Sequence, residues 1–142
     1  MTLREMITRI TIKEPGKLKL VNNLIHDCWF DVNRISVANN RFELHFSRYV
    51  ERDSRIIRNF FFVRNYQRVD CVLQIDNVTA HEIVDTEAVQ FYDLTKLVYQ
   101  ANDNSITFVT GVPITIKLKI SKLKISVINT NSIMENKRSW SI

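Results

Sequence analysis

Glycine and proline are scarce in this chain, which has only two of each among its 142 residues. A glycine-rich loop that cradles phosphate needs several glycines close together, and a Gly-x-Ser-x-Gly nucleophile elbow needs two glycines around one serine. Gly16 and Gly111 stand far apart in the sequence. The usual nucleotide-binding loops and the serine-hydrolase elbow are therefore excluded.

Turns must then be built largely from asparagine, which tolerates left-handed backbone angles better than most residues. Asparagine-rich clusters occur at 39–40, 102–104 and 129–131. We expect each of these clusters to mark a chain reversal or the end of a strand.

Cysteine is equally sparse, with Cys28 and Cys71 as its only occurrences. There is no Cys-x-x-Cys pair, and the three histidines share no metal-ligand spacing with each other or with the cysteines. No charged-then-apolar leader and no run of about 18 apolar residues is present. We expect a reduced, cytoplasmic protein without metal or other cofactor. A disulfide between Cys28 and Cys71 depends on the fold and stays open.

The composition is that of one folded domain, with 45% hydrophobic and 25% charged residues. We predict a single domain over 1–142 that ends in a polar tail at 129–142. Trp140 lies in this tail after a basic pair, and its docking on the domain or on a neighbouring copy would favour an oligomer. A net charge of +5 is compatible with an acidic partner but does not identify one.

Hydrophobic periodicity predicts one helix within a β-rich chain. Residues 6–13 alternate as a strand, and apolar residues from Leu18 to Trp29 then recur at helical intervals. Period two returns afterwards, which predicts strands at 35–38, 41–48, 56–64, 69–76, 80–85, 96–100, 105–110, 113–120 and 122–128. The expected fold is mostly β (α+β), an antiparallel barrel or sandwich from two related β units with one N-terminal helix.

The alternation changes phase near Ser121-Lys122. Apolar residues from Ile114 to Ile120 share one parity, and those from Leu123 to Val127 share the other. A one-residue slip turns every side chain to the opposite face, so we expect a bulge, corner or turn there. Four lysines then point outward, as a solvated strand face or as a basic surface: Lys117, Lys119, Lys122 and Lys124.

An internal repeat is the most specific feature of the sequence. The segment from Trp29 to Val37 matches the segment from Phe91 to Tyr99, with two aromatic residues, an aspartate and a basic residue three places on. A weaker similarity relates 73–78 to 118–123. We predict related units at about 29–84 and 91–128, with a longer connection at 47–68 in the first.

The two matching aspartates, Asp31 and Asp93, have two interpretations. Aspartate is a strong capping residue, so each carboxylate is expected to accept backbone N–H groups from a single helical turn. Alternatively, pseudo-twofold symmetry brings the two acids into one cleft, with His26 as a third candidate catalytic or cation-binding residue.

A stretch of mixed arginines and aromatic residues runs from Arg55 to Arg68. Rings that stack on bases and arginines that hold phosphates are typical of sheets that bind single-stranded nucleic acid. The candidate contacts there are Arg55, Arg58, Arg64 and Arg68, with the four lysines as a second surface. The competing interpretation, which we favour, is a central buried strand with arginines at its ends, because consecutive aromatic residues occupy both faces.

The run His-Asp-x-Trp-Phe-Asp at 26–31, together with Phe-Tyr-Asp-Leu at 91–94, resembles a pattern in small uncharacterised bacterial proteins. The resemblance implies a self-contained bacterial domain and brings no activity with it. Because no catalytic motif is present, we expect a non-catalytic protein-interaction or assembly module, with an unknown protein or a second copy as its partner. Single-stranded nucleic-acid binding and an enzyme or cation site at Asp31 and Asp93 are the alternatives.

Overall fold

The computed structural model describes the backbone of residues 9–57 and 61–130, and the side chains of these residues other than 49–57 and 61–67. One short helix and nine strands make up this part of the chain, which confirms the predicted mostly β, α+β class. A 3-10 turn at Pro15–Lys17 precedes the helix. The elements are β1 (Arg9–Ile12), α1 (Leu18–Ile25), β2 (Cys28–Ala38), β3 (Arg41–Ile57), β4 (Phe61–Ile75), β5 (Val78–Val84), β6 (Phe91–Gln100), β7 (Ser105–Thr110), β8 (Thr115–Ile120) and β9 (Ile125–Asn129).

The helix is amphipathic, and its buried residues are Leu18, Val21 and Ile25. It ends earlier than its apolar spacing predicts, because Asp27 takes a left-handed φ of 60° and the chain turns into β2. The expectation that Cys28 and Trp29 continue the helix is therefore wrong. Helical and strand periods coincide over these few positions, so spacing alone could not separate them.

The nine strands form a single antiparallel sheet in the order β1-β9-β4-β3-β2-β6-β7-β8-β5. The sheet is not closed, so the sandwich-like alternative of the predicted architecture describes it. The chain crosses between its two halves after β4 and again after β8. These crossings are joined by hydrogen bonds from Asp76 N to Lys124 O (3.0 Å) and from Ser121 N to Asn77 O (2.9 Å). The predicted phase shift near Ser121-Lys122 falls at the second crossing.

One continuous cluster of buried side chains fills the interior, with contributions from α1 and from both halves of the sheet. Its largest fully buried members include Tyr92, Phe30 and Phe42. The rings of Phe30 and Tyr92 stack at 5.8 Å, and those of Phe42 and Phe108 meet edge to face at 5.2 Å.

The stretch predicted as one central buried strand at 56–64 is divided between two strands. β3 continues to Ile57, β4 begins at Phe61, and these two residues pair with each other. The segment at 47–68 is likewise paired strand on both sides of 58–60 rather than an open connection. The sequence did not predict the full length of β3, because the polar residues at 51–55 interrupt the apolar alternation from which strands were predicted.

β2 and β6 join the two halves of the sheet through four residues each. Phe30 pairs with Tyr92, Trp29 with Asp93, and Asp31 with Phe91, so the register is symmetric about the Phe30–Tyr92 pair. These are the residues that match in the sequence repeat.

Candidate functional site

A bulge of several residues interrupts the pairing of β2 with β3. Phe30 pairs with Phe46 and Ile35 pairs with Leu44, so residues 31–34 of β2 lie opposite His45 alone. The Asp31 carboxylate holds part of this bulge by accepting the Asn33 N–H at 2.8 Å. The regular pairing of β2 with β3 is interrupted at the bulge. On its other edge, β2 pairs with β6 through Cys28 to Asp31.

A cleft of about 360 Å³ lies beside the bulge. β2, β3, β4 and the start of β6 contribute its lining, together with the residue that follows β9. Its walls combine aromatic rings, two arginines, a histidine and two carboxylates. The residues are Trp29, Phe30, Asp31, Arg34, His45, Phe46, Ser47, Arg68, Asp70, Cys71, Phe91 and Thr130.

The aromatic wall consists of Trp29 and Phe91. Their rings meet edge to face, with centroids 6.1 Å apart and planes at 70°. Phe91 is 52% exposed, which is unusual for a phenylalanine, and the guanidinium carbon of Arg68 lies 5.1 Å from the Trp29 ring centroid. A cation over an indole face at this distance is a stabilising contact.

The second wall is a hydrogen-bonded group around Asp70. Its Oδ1 accepts bonds from Ser47 Oγ at 2.7 Å and from Arg68 Nε at 2.9 Å. Burial opposes ionisation of this carboxyl, but the bonds from Ser47 and Arg68 outweigh burial and hold the pKa of Asp70 below its usual range. Asp70 is therefore a carboxylate at neutral pH, and Arg68 compensates its charge.

The third wall is formed by Arg34 and His45. The Arg34 Nη2 donates to His45 Nδ1 at 3.2 Å, which places the proton of a neutral imidazole on Nε2. Partial burial and the nearby Arg34 charge lower the pKa of His45, so the ring is neutral at pH 7. Within the described part of the chain, no carboxylate forms an ion pair with Arg34.

The predicted acids, Asp31 and Asp93, lie on the same face but do not share a partner. Trp29 pairs with Asp93 and Asp31 pairs with Phe91. The two aromatic rings therefore meet along one diagonal of this four-residue group, and the two acids occupy the other diagonal. Asp31 accepts the Asn33 N–H and the side chain of Gln90, whereas Asp93 accepts the Val112 N–H at 3.2 Å.

The third candidate, His26, is engaged apart from both acids. It contacts Asp27 at 3.3 Å and the Thr95 carbonyl, also at 3.3 Å. Among the described residues, His26, Asp31 and Asp93 thus have different hydrogen-bond partners.

The predicted basic surfaces are only partly visible. The side chains of Arg55, Arg58 and Arg64 lie outside the described residues, and Arg68 is in the cleft. Two of the four lysines face carboxylates: Lys117 lies 3.3 Å from Asp103 and Lys124 lies 3.9 Å from Asp76. Lys119 and Lys122 are exposed. The surface around β8 is therefore mixed in charge rather than uniformly basic.

Sequence reasoning missed Arg34, His45, Ser47 and Asp70 as members of one site. Strand alternation does place His45 and Ser47 on the face opposite Phe46, and this was the available signal. Alternation does not reveal which strands are neighbours, so the four residues could not be joined.

Two other kinds of site are absent from the described residues. None of their helices is long and apolar enough to cross a membrane. In the same residues, no three His, Cys, Asp or Glu side chains are grouped to hold a metal ion. Comparisons with protein-family models, curated proteins and solved structures gave no match.

Proposed function

We propose that this protein is a non-catalytic assembly module that associates with a second copy of itself through the extended part of β3 and β4. β2 pairs with β3 only as far as Ser47, and β9 pairs with β4 only as far as Cys71. Beyond these points β3 and β4 pair with each other up to Ile57 and Phe61. We call this two-stranded extension, residues 48–57 and 61–69, the β3–β4 arm.

The arm is the observation that carries the proposal. About ten residues at roughly 3.3 Å each give it a length near 30 Å. A two-stranded ribbon is marginally stable alone in water, because it has no sheet or helix to cover it. Its sequence nevertheless contains Ile56, Ile57 and the apolar run 61–63. Among the described strands, none other than β3 and β4 pairs along the arm, and an additional protein surface would cover it.

A second copy fits this requirement better than an unrelated protein. Two arms related by a twofold axis can pair edge to edge, so that two two-stranded arms form one four-stranded sheet. The arm sequence carries both signs of charge, with Glu51 and Asp53 among its arginines. A second copy would therefore bring residues of both charge signs to the same interface.

Two further expectations accompany this proposal. The register symmetry about Phe30 and Tyr92 supports an origin of the domain from two related β units. Cys28 and Cys71 are both buried and unbridged, which supports a reducing compartment such as the cytoplasm.

Sedimentation equilibrium of the full chain over a range of concentrations tests the proposal. We expect reversible dimers. Replacing residues 50–67 by Asn-Gly should give a monomer with the circular dichroism of an intact sheet, because Tyr49 and Arg68 already pair across the arm and suit a two-residue turn.

The matched control is Val89→Ser, which removes an exposed apolar side chain outside the arm and should leave the dimer intact. A wild-type protein that stays monomeric at every concentration would refute self-association. A shortened protein that still dimerises would refute the arm as the interface.

Single-stranded nucleic-acid binding is the second candidate, and the observation that favours it is Arg68 over Trp29 next to the exposed Phe91. Aromatic rings beside a cation can stack bases. Asp31, Asp70 and Asp93 on the same face weigh against a polyanion. A gel shift with oligo-dT and oligo-U at low salt tests this candidate, which requires binding that weakens as salt is added. No shift with either strand removes it.

A further inference from the structure

We propose that the cleft beside the β2 bulge binds a small aromatic carboxylate, with the ring against Trp29 and Phe91 and the carboxylate on Arg34. Arg68, at the base of the β3–β4 arm, also lines the cleft, but the residues assigned to the ligand lie outside the arm, and binding does not depend on self-association. Its volume of about 360 Å³ is at the small end of ligand pockets, which suits one ring with a short acidic substituent.

The aromatic wall accounts for the ring. Trp29 is half-buried and fixed by its edge contact with Phe91, while Phe91 itself leaves 52% of its surface exposed. An additional ring can extend this pair in the offset or edge-to-face geometries that aromatic groups prefer. Covering Phe91 would also remove apolar surface from water.

Arg34 accounts for the carboxylate. A guanidinium has five N–H donors in a planar fork, and Arg34 uses one of them on His45 Nδ1 at 3.2 Å. No described carboxylate pairs with it, whereas Arg68 is held by Asp70 at 2.9 Å. Arg34 is thus the cation of the cleft that an incoming carboxylate can neutralise, by a bidentate pair.

His45 positions Arg34 and does not itself supply the charge. Its neutral ring accepts from Arg34 Nη2, so one side of the fork is fixed against β3 while its other donors are available. Ionised Asp70 lies in the same lining, as does the carboxyl group of Asp31. They would repel a second negative charge, so a monoanionic carboxylate suits the cleft better than a phosphate.

Binding is measured by the fluorescence of a Trp140→Phe protein, in which Trp29 is the remaining tryptophan. The probes are benzoate and phenylacetate, compared with acetate, benzamide and phenyl phosphate. We expect saturable quenching by the two aromatic acids at millimolar concentrations or below. Acetate should lack the ring contact, benzamide should lack the charge, and phenyl phosphate should bind more weakly than benzoate.

Variants assign the residues. Arg34→Gln should weaken benzoate binding about tenfold or more, because a charged bidentate contact is lost, and Arg34→Lys should restore only part of it. Lys122→Gln removes an exposed cation elsewhere and is the matched control. Binding should also raise the His45 titration midpoint in an NMR experiment, since the Arg34 charge near the ring is then neutralised.

Four results would overturn the proposal. They are no saturable binding of either aromatic acid, equal binding by Arg34→Gln and wild type, equal binding of acetate and benzoate, and tighter binding of phenyl phosphate than of benzoate. Because the titration can be repeated in the protein with the shortened arm, failure here is distinguishable from failure of the assembly proposal.

Discussion

At the scale of single residues, Asn22 acts as a substitute for a strand. Its Oδ1 accepts the Leu97 N–H at 2.8 Å, and its Nδ2 donates to the Leu97 carbonyl at 3.1 Å. β2 pairs with β6 only as far as Leu94, so beyond that point this edge of β6 faces the helix. The Asn22 amide provides the two hydrogen bonds that a neighbouring peptide group would make.

Replacing Asn22 by leucine should therefore destabilise the protein by about 1–3 kcal/mol, because a buried backbone N–H and carbonyl lose their partners. The free energy of unfolding from urea titrations measures this loss. Asn23→Leu, on the exposed side of the same helix, is the control and should change stability by less than about 0.5 kcal/mol. Equal losses in the two variants would show that the paired bonds contribute nothing.

Burial of Cys28 makes the stability of the folded protein depend on pH in the alkaline range. Burial, with a smaller contribution from nearby Cys71, raises the pKa of the Cys28 thiol from 9.0 to about 12. The unfolded chain then ionises this thiol first as pH rises. The free energy of unfolding should hold below about pH 9 and fall progressively towards pH 12.

The test compares wild type with Cys28→Ala under reducing conditions. Unfolding free energies below and above pH 9.0 should show a shallower alkaline decline in the variant, because it lacks one of the groups whose pKa differs between the folded and unfolded states. Other groups titrate in both proteins, so the difference in slope isolates Cys28. Parallel curves would contradict the assignment. Native Cys28 should also react slowly with thiol reagents.

At the scale of elements, the turn between β7 and β8 depends on one glycine. A Cβ at Gly111 would overlap the Asp93 carboxylate, which accepts the N–H of the next residue, Val112. The absence of a side chain at Gly111 therefore lets the Asp93 carboxylate approach the turn closely enough to accept this N–H. The matching acid, Asp31, instead shapes the bulge of its own strand.

Gly111→Ala should cost roughly 1–3 kcal/mol, since the carboxylate must move and its hydrogen bond is disturbed. The same change should cost much less in an Asp93→Ala background. A double-mutant cycle of unfolding free energies measures this coupling. Additive losses would mean that the cost arises from the backbone of the turn and not from Asp93.

Sequence patterns predicted several elements well and others poorly. β7 has the predicted bounds, because the alternation of Ser105–Thr110 ends at a glycine and starts after an asparagine-rich turn. The β3–β4 arm was missed, since pairing between its strands leaves no local pattern. Similarly, a continuous register from the Phe30–Phe46 pair would place Arg34 opposite Phe42. The bulge moves it to His45, and no residue pattern announced that shift.

At the scale of the whole molecule, alternation indicates which residues face inward but not which strands meet. The antiparallel class follows from short alternating strands, and the buried cluster follows from their apolar parity. The strand order does not, because β9 lies between β1 and β4 through contacts that are distant in sequence. The cleft depends on this order and could not be assembled from the sequence.

The position of β9 also has a kinetic consequence. The hydroxyls of Thr11 and Ser126 meet at 2.9 Å across the β1–β9 pair, although they are 115 residues apart in the chain. Closing so long a loop has a large entropic cost and slows folding, and during translation β1 cannot pair with β9 until Ser126 has left the ribosome. β1, the first of the described strands, must therefore wait for β9, the last of them.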